Sequence, residues 1–116
     1  MKARFYQNGK TIDYIPTASL AAGDVVVLGN LIGIAQTDVP ANGLAGIDIE
    51  GVFEFAKKAN DVVTVGAVVY WDTANKVATV TSGSGKVVAG YAVEASAANV
   101  GYVRVKINIA PATATA

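Results

Sequence analysis

Ile47-Asp48-Ile49-Glu50-Gly51-Val52-Phe53-Glu54-Phe55 is the stretch from which the fold is read. Its residues alternate. Ile47, Ile49, Phe53 and Phe55 fall on one side, and Asp48, Glu50 and Glu54 fall on the other with Val52. A period of two is the mark of a β-strand with one buried face. Residues 100–109 repeat the pattern, with Val103, Val105, Ile107 and Ile109 against Tyr102, Arg104, Lys106 and Asn108. Residues 67–71 are continuously apolar and fit a strand covered on both faces. Val25–Leu28 and residues 31–36 flank Gly29-Asn30 as a tight hairpin, and Asn8-Gly9 signals another between Phe5-Tyr6 and Thr11–Tyr14. Turns follow at residues 40–43, 72–75 and 82–85, where Pro, Asn, Asp, Gly and Ser cluster. Residues 77–81 and 87–94 supply further strands.

Composition agrees. Eighteen Val and eight Ile outnumber four Leu, while Glu, Gln and Met are scarce, so β-branched residues replace the usual helix formers. The expected fold is all-β: one small domain, a β-barrel or sandwich of about eight short strands, with an N-terminal hairpin and an extended C-terminal tail. The domain runs over residues 1–109, its first seven residues form an arm, and an Ala/Thr tail occupies residues 110–116. With 116 residues, the chain suits a single core.

The residue inventory narrows the chemistry. Cys and His are both absent, which excludes disulfides, thiolate metal sites and the commonest general base. Nine Lys+Arg balance nine Asp+Glu, so the electrostatic footprint of a nucleic-acid binder is missing. No apolar run is long enough for a membrane span, and no secretory signal follows Met1, so synthesis in the cytoplasm is expected. Charged residues make up 16%, against about 25% in typical domains. That low fraction, with the apolar runs Val25–Leu28 and Leu31–Ala35, points to surface covered by other subunits.

Three constellations invite a functional reading. Thr81-Ser82-Gly83-Ser84-Gly85-Lys86 suggests a phosphate loop, but Val80 stands where its first glycine is needed and Val87 where a hydroxyl is needed. A glycine-serine turn explains it better. Asp48, Glu50 and Glu54 could act as paired carboxylates or bind a hard cation. An ordinary polar strand face, with Arg104 and Lys106 opposite, is the stronger reading. Tyr70-Trp71 could form a stacking platform, but Trp71 sits in the most apolar run and reads as core. No enzyme and no cofactor is expected.

Several segments, taken in order, resemble a known family. They are Tyr6-Gln7-Asn8-Gly9 with Ile12-Asp13-Tyr14; Gly23-Asp24-Val25-Val26; Gly29 and Gly33-Ile34-Ala35; Glu50-Gly51-Val52-Phe53 with Lys57; Gly66 with Val69-Tyr70-Trp71-Asp72; Gly90-Tyr91-Ala92-Val93-Glu94-Ala95; and Val103-Arg104-Val105. Together they are similar to the tailed-phage capsid cement, or head decoration, proteins over residues 5–108. The resemblance implies a structural virion protein on the outer surface of a phage head. It would bind the major capsid protein, stand as a homotrimer at local three-fold axes and stabilise the expanded lattice. It carries over no catalytic residue and implies neither nucleic acid nor membrane as partner. A free-standing carbohydrate- or receptor-binding β-barrel is the rival reading. On the cement reading, the expected contact residues are Lys2, Arg4, Phe5 and Tyr6 of the arm, and Lys57 and Lys58 of a polar loop. An arm added to a capsid strand would set Lys2 and Arg4 on one face and Phe5 on the other.

Overall fold

Nine strands and no helix make up the computed structural model, which describes residues 2–109. They are β1 (Thr11–Tyr14), β2 (Val25–Leu28), β3 (Leu31–Ala35), β4 (Ala45–Asp48), β5 (Val52–Ala56), β6 (Val68–Asp72), β7 (Val77–Thr79), β8 (Lys86–Ala92) and β9 (Tyr102–Ile107). Two antiparallel sheets result. One has the order β1-β4-β3-β2 and the other β5-β9-β8-β6-β7. The expected all-β domain is thus present, as a sandwich. The five-stranded sheet curls until its outer strands β5 and β7 approach. They meet through an isolated parallel bridge between Lys57 and Ala78 rather than a ladder, so no closed barrel forms.

The alternation over residues 47–55 proves to belong to two strands. The chain leaves β4 after Asp48, turns at Gly51 with φ 132°, and enters β5 in the other sheet. That backbone angle is one that side chains rarely tolerate, so glycine permits the switch. Ile47 therefore packs in one cluster and Phe55 in another. The larger cluster lies between the sheets. Ile32 and Ile34 of β3 enter it from one side, and Phe55, Val69, Trp71, Val103, Val105 and Ile107 from the other. Trp71 is core as expected, with its ring 5.8 Å from that of Phe55.

A smaller cluster covers the opposite face of the four-stranded sheet. Val26, Ala45 and Ile47 pack there with Val39, and Leu20 joins them through a backbone pair with Val39 at 2.8 Å. Strand β3 is consequently buried on both faces. Residues 32–35 are interior to the chain, and Leu31 at the start of the strand is half-buried. At Gly33 a Cβ would stand 2.7 Å from Ile47 Cδ1, so a side chain there would force Ile47 to shift. By contrast β2 is an edge strand, and Val27 is partly exposed.

A side-chain clamp joins the sheets. Asn108, just past β9, donates from Nδ2 to the carbonyls of Ile32 and Ile49, both at 2.7 Å, and accepts from the Ile32 N–H at 2.9 Å. Its φ of 61° aims the amide across the interface, and asparagine is among the few side chains that adopt this conformation readily. The last strand alternates as read: Val103, Val105 and Ile107 are buried, while Tyr102 and Lys106 are exposed.

Candidate functional site

The arm is the most exposed segment described. Residues 2–10 all face solvent and lie in no strand, and the Phe5 and Tyr6 rings are 81% and 89% exposed. The N-terminal hairpin expected at Asn8-Gly9 does not form. Neither residue has the positive φ that a type I′ turn needs. Instead β1 pairs with β4, in register from Thr11 with Asp48 to Tyr14 with Ala45. That choice packs Ile12 and Tyr14 against the smaller cluster, and Thr11 Oγ1 donates to Asp48 at 2.8 Å. A local hairpin with Phe5 and Tyr6 would have no apolar layer to cover it. Lys2, Arg4, Phe5 and Tyr6 are thus brought together on one free segment.

The two loop lysines part company. Lys58 is exposed, whereas Lys57 is 5% exposed. The Lys57 ammonium donates to the carbonyls of Asp61 and Ala97, both at 2.7 Å. This corrects the expectation for Lys57. A buried charge costs several kcal/mol unless hydrogen-bonded, and these two carbonyls hold it inside the chain, away from any partner. The backbone does similar work at the same place. The Lys57 N–H reaches the Gly101 carbonyl at 3.0 Å and the Lys58 N–H reaches the Ala78 carbonyl at 2.9 Å, so the pair pins both edges of the curled sheet. Asp61 completes this seam by accepting from Thr79 Oγ1 at 2.6 Å and the Val80 N–H at 3.1 Å. Burial pushes its carboxyl up, but those two hydrogen bonds and the charges of Lys58 and Lys57 outweigh it, leaving it below the usual aspartate range.

The carboxylates of the quoted stretch do not form one site. Asp48 lies in the four-stranded sheet, where it accepts from Thr11 and, at 2.6 Å, from Gln36. Glu54 lies in the other sheet, directly opposite Arg104 as the sequence suggested. Arg104 bridges Glu54 at 3.3 Å and Glu94 at 3.0 Å, and stands 5.7 Å from the Tyr102 ring centre. The Thr81–Lys86 segment is a turn running straight into β8, with no helix N-terminus to hold a phosphate.

A cleft of about 670 Å³ opens where the sheets separate. It runs between β2 and β5, with Val25, Val27, Ile34, Phe53, Phe55 and Trp71 in its wall and Asp24, Glu54 and Lys76 around it. Trp71 is too deeply buried to serve as a sugar-stacking platform. Sequence reasoning missed this cleft, because its walls come from strands whose separation depends on the switch at Gly51.

The described residues thus present a β-scaffold with an exposed cationic-aromatic arm and an apolar cleft. The family model described as phage cement protein matches residues 6–107, and the chain belongs to that family, which is structural and not enzymatic. It is therefore a structural protein of the phage capsid. The match begins at Tyr6, so residues 2–5 of the arm lie outside it. Comparison with curated proteins and with solved structures finds no match.

Proposed function

We propose that this protein sits on the outer surface of the expanded head, bound to the major capsid protein at local three-fold axes as a homotrimer, and stabilises the lattice there. Family membership supports association with a capsid. The observation that carries the mode of attachment is the arm, with Lys2, Arg4, Phe5 and Tyr6 all exposed on a segment that, among the described residues, no strand engages. Such a segment adds to an exposed capsid strand through main-chain hydrogen bonds. Lys2 and Arg4 then face capsid carboxylates, and Lys58 offers a second cation from the body. Each contact is weak, and repetition around the axis gives avidity. Synthesis takes place in the host cytoplasm before docking.

Deleting residues 1–4 tests this reading, because the deletion spares every strand. The truncated chain should keep its thermal midpoint and fail to decorate expanded heads in a sedimentation assay. Undiminished decoration overturns the arm as the attachment point. Density for isolated copies away from the three-fold axes overturns the assembly.

A further inference from the structure

We infer that Asn8 is a self-modifying site. In water its side-chain amide is lost and the residue becomes isoaspartate or aspartate, while the fold protects the chain's second Asn-Gly pair, Asn42-Gly43. Both pairs carry the reacting groups. The glycine backbone nitrogen gives its proton to solvent base and attacks the asparagine Cγ. The new N–Cγ bond closes a five-membered imide, the Cγ–Nδ2 bond breaks, and Nδ2 leaves as ammonia after taking a proton from solvent. Water then adds to one of the two imide carbonyls. Opening on the Cγ side restores the ordinary backbone with an aspartate. Opening on the backbone-carbonyl side leaves the chain running through Cγ, as isoaspartate. Solvent water is the only co-reactant. Glycine favours the closure because it has no side chain to hinder the approach and its backbone turns freely.

The two pairs differ in what holds their backbone, not in exposure, since Asn8 and Asn42 both face solvent. Nothing restrains closure at the first. A Cβ at Gly9 would meet no atom within 4 Å, and among the described residues neither Asn8 nor the Gly9 N–H has a hydrogen-bond partner. The first hold on the chain comes at Lys10, whose carbonyl accepts from the Ile49 N–H at 2.9 Å. At the second pair the nucleophile is occupied. The Gly43 N–H donates to the Pro40 carbonyl at 3.0 Å, and the Asn42 N–H donates to the Pro16 carbonyl at 2.7 Å. Asn42 is fixed at φ 65°, and a Cβ at Gly43 would stand 3.1 Å from the Pro40 oxygen and 3.2 Å from Val39 Cγ1. Ring closure there requires the turn to open first, so its rate is scaled down by the open fraction. Conversion at Asn8 changes the arm in two ways. Residues 2–10 carry Lys2, Arg4 and Lys10 and no acid, so the new carboxylate, ionised at neutral pH, is their first negative charge. Isoaspartate also adds one carbon to the backbone path, so the arm and β1 no longer keep one side-chain alternation.

Peptide mass spectrometry after ageing tests the inference. The full chain is incubated in mildly alkaline heavy-oxygen water, folded and in urea, and then digested with trypsin. Asn8 falls in the peptide of residues 5–10 and Asn42 in that of residues 11–57. The mass of each reads the exchange of amide nitrogen for heavy oxygen, and electron-transfer fragmentation separates isoaspartate from aspartate. In the folded chain Asn8 is expected to convert at least about tenfold faster than Asn42, and in urea the two rates should come within about threefold of each other. Equal rates in the folded chain overturn the proposal, as does an Asn8 that converts only in urea. An Asn42 that stays slow in urea refutes the fold as its protection. Gly9→Ala, which meets no neighbouring atom, should slow conversion at Asn8 by about tenfold with an unchanged thermal midpoint. Undiminished conversion in that variant means direct hydrolysis of the amide and removes the Gly9 nitrogen from its role. The measurement uses free protein, so its outcome stands apart from whether the arm attaches the chain to a head.

Discussion

Gly90 lies in β8 with φ 152°, and a Cβ there would run into the Lys106 carbonyl oxygen of the neighbouring strand. Backbone cannot yield as a flexible side chain can, so Gly90→Ala is expected to unfold the chain or cost at least about 4 kcal/mol in urea titration. Lys57 presents the opposite case, a large side chain held by its surroundings. Lys57→Met removes the charged donor shared by the Asp61 and Ala97 carbonyls and should cost about 1–3 kcal/mol. Lys58→Met, on the exposed neighbour, should stay within about 0.5 kcal/mol. Asp61 ties the same seam to pH. Its folded pKa is lowered, so its contribution is fully present above the ordinary aspartate value of about 3.9 and is lost as pH falls through the lower folded value. Between pH 5 and pH 2 the wild type should therefore lose more stability than Asp61→Asn. Equal losses in acid unfolding curves would remove Asp61 from that role.

Elements are held to one another by few residues. Asn108 makes three hydrogen bonds from one sheet to the backbone at Ile32 and Ile49. Asn108→Ala strands those groups and puts alanine at positive φ, an expected loss of about 2–4 kcal/mol by thermal denaturation. Trp71→Ala opens the larger cluster beside Phe55 and should cost about 3–5 kcal/mol. Strand identity was largely legible in the sequence, because burial on one face writes itself as alternation. Val103, Val105 and Ile107 show this, and so does the Glu54–Arg104 pair read from their polar faces. The break at Gly51 was hidden for the same reason. Ile47 and Phe55 keep one parity across the switch although they enter different clusters, and alternation cannot say which sheet a face belongs to. The Asn8-Gly9 signal misled because it is local. The partner that β1 takes lies at Asp48, 37 residues beyond Thr11, and brings an apolar layer with it. Lys57 was misplaced because carbonyls from Asp61 and Ala97 decide its burial, and neither shows in its neighbourhood of sequence. The arm residues Lys2, Arg4, Phe5 and Tyr6 were legible as a candidate site from side-chain type and position. The cleft between β2 and β5 was not. The Ala/Thr tail of residues 110–116 lies outside the described residues.

At the scale of the whole molecule, the nine short strands among the described residues leave residues 2–10 outside every ladder. The residue 1–4 deletion should separate fold from attachment cleanly, with unchanged circular dichroism and lost decoration. The arm enters the body through β1, which forms the outermost ladder of the four-stranded sheet and spans four residues. On the proposed attachment, an expanding head would pull on that point. Tension along the anchored arm would reach the β1–β4 hydrogen bonds first at Thr11. On that attachment the ladder would act as a mechanical fuse: it would yield first, lengthen the tether by the residues of β1, and leave the five-stranded body and its clamp at Asn108 intact, so that the strand could re-form when the load falls.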